Sequence, residues 1–192
     1  MIAIGASAGG SQALVKLLGD LSASYPLPIL LVKHHSAREG QGTGKDMVSW
    51  LGSRIALDVQ LADDKCLLSP GTVYVAPPDY HLLLNRDGSL SLSQDEPVIH
   101  ARPSVDVLFE SVADAAGSQA TGIILTGAST DGAVGAQAIR RGDGQVMIQH
   151  PETAEVPVMP KAALKKGDSS EAMELECLTA RLLDLARKEP GQ

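Results

Sequence analysis

Short apolar segments alternate along this chain with segments in which apolar side chains recur at helical spacing. The apolar segments have the length and β-branched content of buried strands, and they cover residues 1–6, 29–33, 72–76, 122–126 and 145–149. Helical spacing is found at Leu14, Leu17, Leu18 and Leu21, at Val105, Leu108, Phe109 and Val112, and at Leu175, Leu178, Leu182 and Leu185. This order predicts an α/β fold with a doubly wound, mostly parallel sheet and helices on both faces.

One stretch departs from the alternation. Residues His81–Leu84 and Ser89–Leu92 flank Asn85-Arg86-Asp87-Gly88, a sequence typical of a hairpin turn. We therefore expect an antiparallel hairpin excursion from the otherwise parallel sheet. A length of 192 residues suits one compact domain, and no linker-like tract interrupts it, so we expect a single domain over residues 1–192.

Composition restricts the classes of partner. A formal net charge of −7, with only 3% aromatic residues, argues against nucleic acid or an anionic membrane as a partner. No apolar run approaches the roughly 20 residues of a membrane span, so we expect a cytoplasmic protein without membrane insertion. Cys66 and Cys177 lie far apart and lack CxxC spacing, which favours ordinary reduced thiols over a disulfide or metal site.

The turn Gly5–Gly10 follows the first strand and precedes a helix, and it carries Ser7 at its centre. Glycine-rich turns at this position more often bind nucleotide phosphates than carry nucleophiles. Two features favour the nucleophile: Ser7 replaces the middle glycine of the dinucleotide fingerprint, and the second strand ends in His34 instead of an acidic residue. An imidazole is the natural general base for a serine hydroxyl.

His34 and His35 are adjacent, so in an extended chain only one of them faces the site. Neither histidine belongs to a metal-binding spacing such as HxxxH, and we expect no metal. Asp131 lies after the strand at 122–126, in a glycine-rich turn before the next helix. Two interpretations of Asp131 are open: the simpler one is a helix N-cap, and the functional one is a residue that orients the imidazole.

These segments together resemble the catalytic domain of the chemotaxis protein-glutamate methylesterase (CheB) family over nearly the whole chain. The resemblance rests on six segments in order: IAIGASAGG, LLVKHHS, SPGTVYVAPPDYH, RPSVDVLFESVA, GIILTGASTDGA and VMPKAAL. It implies a Ser7-His34-Asp131 catalytic triad, with the oxyanion hole formed by the backbone N–H groups of Ala8 and Ala128. It also implies hydrolysis of glutamate γ-methyl esters, with glutamine deamidation in some members, and no cofactor.

The resemblance further implies a protein substrate, the methylated cytoplasmic domain of a chemoreceptor. Arg102 and the loop after His34 are our candidates for contact with that substrate. Separately, we expect Ser104 to be the N-cap of the helix at 105–112. Where the family usually has Thr, Gln and Met, this chain has Ala8, Lys33 and Ala128, respectively. The family's receiver domain has no counterpart in these residues, so we expect either a free-standing homologue or a domain that is regulated by a separate domain or protein. Two alternatives stay open: a catalytically diverged homologue, and a non-catalytic phosphate- or nucleotide-binding module that uses Gly5–Gly10.

Overall fold

A computed structural model describes residues 1–34, 44–167 and 172–188 of the chain. His35 and the loop after it, for which a docking role is expected, lie outside the described residues. The strands are β1 (Ile2–Ala6), β2 (Ile29–Lys33), β3 (Asp58–Leu61), β4 (Thr72–Val75), β5 (His81–Leu84), β6 (Leu90–Ser93), β7 (Thr121–Ile124), β8 (Gln145–Gln149) and β9 (Ala172–Met173). The α-helices are α1 (Gly10–Leu18), α2 (Lys45–Gly52), α3 (Val105–Ala116), α4 (Ala133–Arg141), α5 (Val158–Lys165) and α6 (Leu175–Lys188), and residues Gly117–Gln119 form a 3-10 turn.

Seven strands form one sheet in the order β3-β4-β2-β1-β7-β8-β9. Every neighbouring pair in it is parallel, and Ile2 to Ala6 of β1 pair in register with Ile29 to Lys33 of β2. The five strands predicted from the apolar runs all belong to this sheet, with bounds that shift by at most two residues. The predicted parallel sheet is therefore confirmed.

The sheet has a hydrophobic core on each face. Helices α1, α2 and α6 pack on one face, and α3, α4 and α5 pack on the other together with the hairpin. Side chains of β1 alternate between the two cores, since Ile2 and Ile4 belong to the first and Ala3 to the second. Both faces are thus covered, as the continuous apolar character of the strands predicts.

The predicted hairpin exists as β5 and β6, which pair antiparallel. It forms a separate two-stranded sheet and does not extend the parallel one. The hairpin is attached to α3, where Leu84 N–H donates a hydrogen bond of 3.0 Å to Ser111 Oγ. At the turn, Gly88 has a φ of 83°, a conformation that glycine adopts without strain. In the part of the chain that the structure describes, no helix is both long and apolar enough to cross a membrane.

Candidate active site

The sheet brings three predicted site residues to one edge. Ser7 follows β1, His34 follows β2 and Asp131 comes seven residues after the end of β7, all beyond the carboxyl ends of parallel strands. Two backbone bonds fix this edge: His34 N–H donates to Ala6 O at 2.9 Å, and Ser7 N–H donates to Thr126 O at 3.0 Å. β1 lies between β2 and β7, so the order of the strands runs in opposite directions on its two sides. Such a switch point is the usual position of a binding site in folds of this kind.

His34 and Asp131 are in direct contact. His34 Nε2 lies 2.8 Å from Asp131 Oδ2, and the two side chains are 12% and 0% exposed. Since a carboxylate only accepts hydrogen bonds, this contact places the ring proton on Nε2 of a neutral imidazole. His34 Nδ1 is then the nitrogen that can accept a proton from another group.

The carboxylate of Asp131 is held at the N-terminus of α3. It accepts hydrogen bonds from Ser104 Oγ (2.8 Å), Val105 N–H (2.7 Å) and Asp106 N–H (2.9 Å). Burial alone would raise the pKa of Asp131, but the hydrogen bonds from His34, Asp106, Val105 and Ser104 outweigh it and lower that pKa. The free N–H groups of a helix N-terminus favour an anion at this place. Asp131 is therefore ionised at neutral pH.

The simpler role of Asp131 as a helix cap is not observed. The N-cap residue of α4 is Gly132, with a φ of 96°, so Asp131 is not the N-cap of that helix. The predicted cap at Ser104 is confirmed, because its hydroxyl accepts from Val107 N–H at 3.4 Å. The same hydroxyl donates to Asp131, a second role that the N-cap pattern alone does not indicate.

The turns that carry Ser7 and Asp131 touch one another. A methyl group at Gly127 would lie 2.7 Å from Ser7 Cβ and would collide with the sulfur of Met159, so only glycine fits between them. Thr126 Oγ1 links the turns by donating to Ala8 O at 2.9 Å. Ser7 is half-buried, and its hydroxyl makes no hydrogen bond to the residues that the structure describes.

The two predicted oxyanion-hole residues flank this junction. Ala8 is half-buried and Ala128 is exposed. Within residues 1–34, 44–167 and 172–188, neither backbone N–H has a hydrogen-bond acceptor. Both groups are thus available to an oxygen of a bound molecule, which is what an oxyanion hole requires.

Asp106 is a second buried carboxyl group beside Asp131. It is 4% exposed, and its Oδ1 accepts from Gly135 N–H in the first turn of α4 at 2.7 Å. Burial, followed by the negative charge of Asp131, raises the pKa of Asp106 to about 6, although backbone hydrogen bonds oppose the shift. Sequence reasoning missed this residue, since nothing in its spacing distinguishes it from a surface aspartate in the first turn of a helix.

Arg102 is fastened to its own loop. Its Nη1 donates to the carbonyl oxygens of Gln94 (3.0 Å) and Asp95 (3.1 Å). Its Nε is buried without a partner among the described residues. A role for Arg102 in substrate binding stays a prediction.

In the described ranges, no cluster of three or more His, Cys, Asp or Glu residues could hold a metal ion.

The fold and this edge define a class: a doubly wound α/β protein with Ser, His and Asp side chains at the switch point of its sheet. The model of the CheB methylesterase family matches residues 2–182, so the chain belongs to that family of enzymes. Its structure is similar to the catalytic domain of the Thermotoga maritima CheB methylesterase, with a TM-score of 0.87 and 30% identity over 96% of this chain and 97% of that one.

Relatives with described activities agree with this assignment. A protein-glutamate methylesterase/protein-glutamine glutaminase of Paramagnetospirillum magneticum is 40% identical over 97% of this chain, and one of Geobacter metallireducens is 36% identical over 98%. The chain spans about half the length of these two relatives, 51% and 53%. A Leptospira interrogans protein, whose name gives the same two activities provisionally, is 37% identical over 91% of this chain and 89% of its own length.

Proposed function

We propose that this protein is a serine hydrolase that removes methyl groups from glutamate γ-methyl esters on the cytoplasmic helices of chemoreceptors. The contact between His34 and Asp131, at the sheet edge where Ser7 emerges, is the observation that carries the proposal. The names of the relatives supply the reaction, and they extend it to deamidation of glutamine.

The reaction begins when His34 Nδ1 takes the proton of the Ser7 hydroxyl. Ser7 Oγ attacks the ester carbonyl carbon, and the carbonyl oxygen becomes an oxyanion that the N–H groups of Ala8 and Ala128 stabilise. The imidazolium formed on His34 is paired with the buried carboxylate of Asp131, which lowers the cost of that charge. His34 then returns the proton to the leaving oxygen, and methanol departs.

The second half of the reaction repeats these roles with water. His34 Nδ1 accepts a proton from water while the water oxygen attacks the acyl carbon bound to Ser7. Collapse of the second oxyanion breaks the bond to Ser7 Oγ, which regains its proton, and a glutamate carboxylate is released. With a glutamine substrate the same steps release ammonia.

Substrate selection requires more contact than a methyl ester provides. A methyl group offers little surface, so a docked protein helix must supply most of the binding free energy. Arg102, which anchors the loop at 94–95, is our candidate for such a contact. Regulation by a separate domain or protein is part of this proposal.

Methanol release from a methylated cytoplasmic receptor fragment tests the proposal. Ser7→Ala should lower kcat by about 10⁶-fold, as loss of the nucleophile does in other triads. Ser22→Ala is the matched control, because Ser22 is exposed and follows α1, away from the carboxyl ends of the strands. It should retain the wild-type rate.

Two outcomes would contradict the proposal. Equal release by wild type and Ser7→Ala would exclude Ser7 as the nucleophile. No release by the folded wild type, alongside a methylesterase that works on the same fragment, would favour a diverged homologue. In that case calorimetry with nucleotides would test Gly5–Gly10 as a phosphate-binding turn.

A further inference from the structure

His81 is a fully buried histidine that the proposed mechanism does not use. It is the first residue of β5 and is 1% exposed. Its Nδ1 lies 3.2 Å from the backbone nitrogen of Ser104, and its Nε2 lies 3.2 Å from the carbonyl oxygen of Glu96. A backbone N–H only donates and a carbonyl only accepts, so His81 carries its proton on Nε2 and accepts at Nδ1.

The contact with Ser104 leads directly to the candidate active site. Ser104 is 0% exposed, and its hydroxyl donates to Asp131 Oδ1 at 2.8 Å. The next two backbone N–H groups, of Val105 and Asp106, also donate to that carboxylate. His81 therefore accepts a hydrogen bond from the Ser104 N–H, which immediately precedes the two backbone N–H groups that bind Asp131.

Without His81 Nδ1, the Ser104 N–H would be a buried donor with no acceptor. An unsatisfied buried N–H is costly, so the peptide group before Ser104 would rotate toward another acceptor. Such a rotation moves the Ser104 hydroxyl and the start of α3, because the N-cap residue sets the direction in which the helix begins. The carboxylate of Asp131 and the imidazole bonded to it would move in turn.

We propose that His81 is a positioning residue for the reaction, which acts through Ser104 to hold Asp131, and thus His34, in the orientation that catalysis needs. This inference rests on the proposed function for its kinetic consequences. Its structural basis is a continuous chain of buried hydrogen bonds from His81 to Ser104, Asp131 and His34.

The opposite ring nitrogen serves a different segment. Three consecutive carbonyl oxygens are bound by two side chains: those of Gln94 and Asp95 by Arg102 Nη1, and that of Glu96 by His81 Nε2. The two contacts of His81 thus fix two distinct parts of the molecule. A pair of substitutions can remove one contact at a time.

His81→Asn and His81→Gln form that pair. The amide oxygen of asparagine takes the place of Nδ1 and accepts from Ser104 N–H, whereas the amide nitrogen of glutamine takes the place of Nε2 and donates to Glu96 O. With a small methyl ester as substrate, His81→Gln should lower kcat roughly ten- to hundredfold with little change in KM, because the reacting groups are misaligned. His81→Asn should rescue most of that loss. Thermal unfolding of both variants checks that each remains folded.

A second measurement does not depend on turnover. The ring N–H proton of His34 that bonds to Asp131, identified by proton NMR through its loss in His34→Ala, should keep its chemical shift in His81→Asn. It should shift or broaden in His81→Gln. If the wild type hydrolyses no ester, the proposed function fails, and the NMR comparison still tests the positioning role. Equal kcat values in the two variants, or equal His34 resonances, would overturn the inference.

Discussion

Replacing Asp131 by asparagine removes a charge and exchanges one acceptor oxygen for a donor. The four hydrogen bonds divide evenly: Oδ1 accepts from Ser104 Oγ and Asp106 N–H, and Oδ2 accepts from Val105 N–H and His34 Nε2. An amide nitrogen in the place of Oδ1 would face the N–H of Asp106. In the place of Oδ2 it would face the N–H of Val105 and force the ring proton of His34 onto Nδ1.

Either orientation therefore leaves a buried backbone N–H without an acceptor. One such donor costs about 1–3 kcal/mol, and the remaining hydrogen bonds weaken when their acceptor loses its charge, so the total is roughly 3–5 kcal/mol. For a domain of this length that is a fall in Tm of about 6–20 °C. The change in kcat should be about 10⁴-fold, the loss that the same substitution causes in a serine-protease triad.

The assay pairs ester hydrolysis with thermal unfolding, and Asp114→Asn is the control. Asp114 is an exposed residue of α3, so its substitution makes the same change of charge on the helix that holds Asp131. We expect that control to stay within about 0.5 kcal/mol of the wild type and to keep its activity. If Asp131→Asn loses less than tenfold in kcat and melts together with Asp114→Asn, the role given to Asp131 is wrong.

Three further substitutions test other parts of the account. The pKa of Asp106 is raised from 3.8 to about 6, so the stability that this carboxyl group contributes at low pH is lost as the pH rises through that interval. Urea unfolding should therefore show Asp106→Asn gaining up to about 3 kcal/mol of stability relative to the wild type between pH 4 and pH 7. No change in this difference would refute the assignment. Gly127→Ala places a methyl group 2.7 Å from Ser7 Cβ and should lower kcat about 100-fold. The control Gly142→Ala, whose methyl group would lie at ordinary van der Waals distances from its neighbours, should keep the wild-type kcat. Equal kcat values in the two variants would contradict the close approach of Gly127 to Ser7. Arg102→Ala should raise KM for the methylated receptor fragment far more than for a small ester, and equal increases would remove Arg102 from the docking surface.

Much of the fold was predictable because the strands are buried on both faces. Residues 29–33 are apolar up to Lys33, and residues 145–149 carry three apolar residues between two glutamines; both form strands with those bounds. The short strand Asp58–Leu61 escaped prediction because it is a partly exposed edge strand with polar residues at alternate positions. Strand Ala172–Met173 is too short for any periodicity to appear.

The candidate site was predictable where the chain alone determines position. Ser7 and His34 each follow a strand directly, and parallel neighbouring strands bring their carboxyl ends together. The partners of Asp131 were not predictable, because residues 104–106 reach it only through the packing of α3 against the sheet. The same holds for His81, whose spacing from any other site residue carries no pattern.

The central claim is that Ser7 forms a covalent intermediate with the acyl group of the substrate. Rapid acid quenching during hydrolysis of a methyl-ester peptide, followed by trypsin digestion and mass spectrometry, tests it directly. Cleavage after Lys16 yields a peptide of residues 1–16 that contains Ser7 and Ser11, and fragmentation separates the two positions. The account predicts the acyl mass on Ser7 in the wild type and its absence in Ser7→Ala. Turnover accompanied by an acyl group on another residue would contradict it.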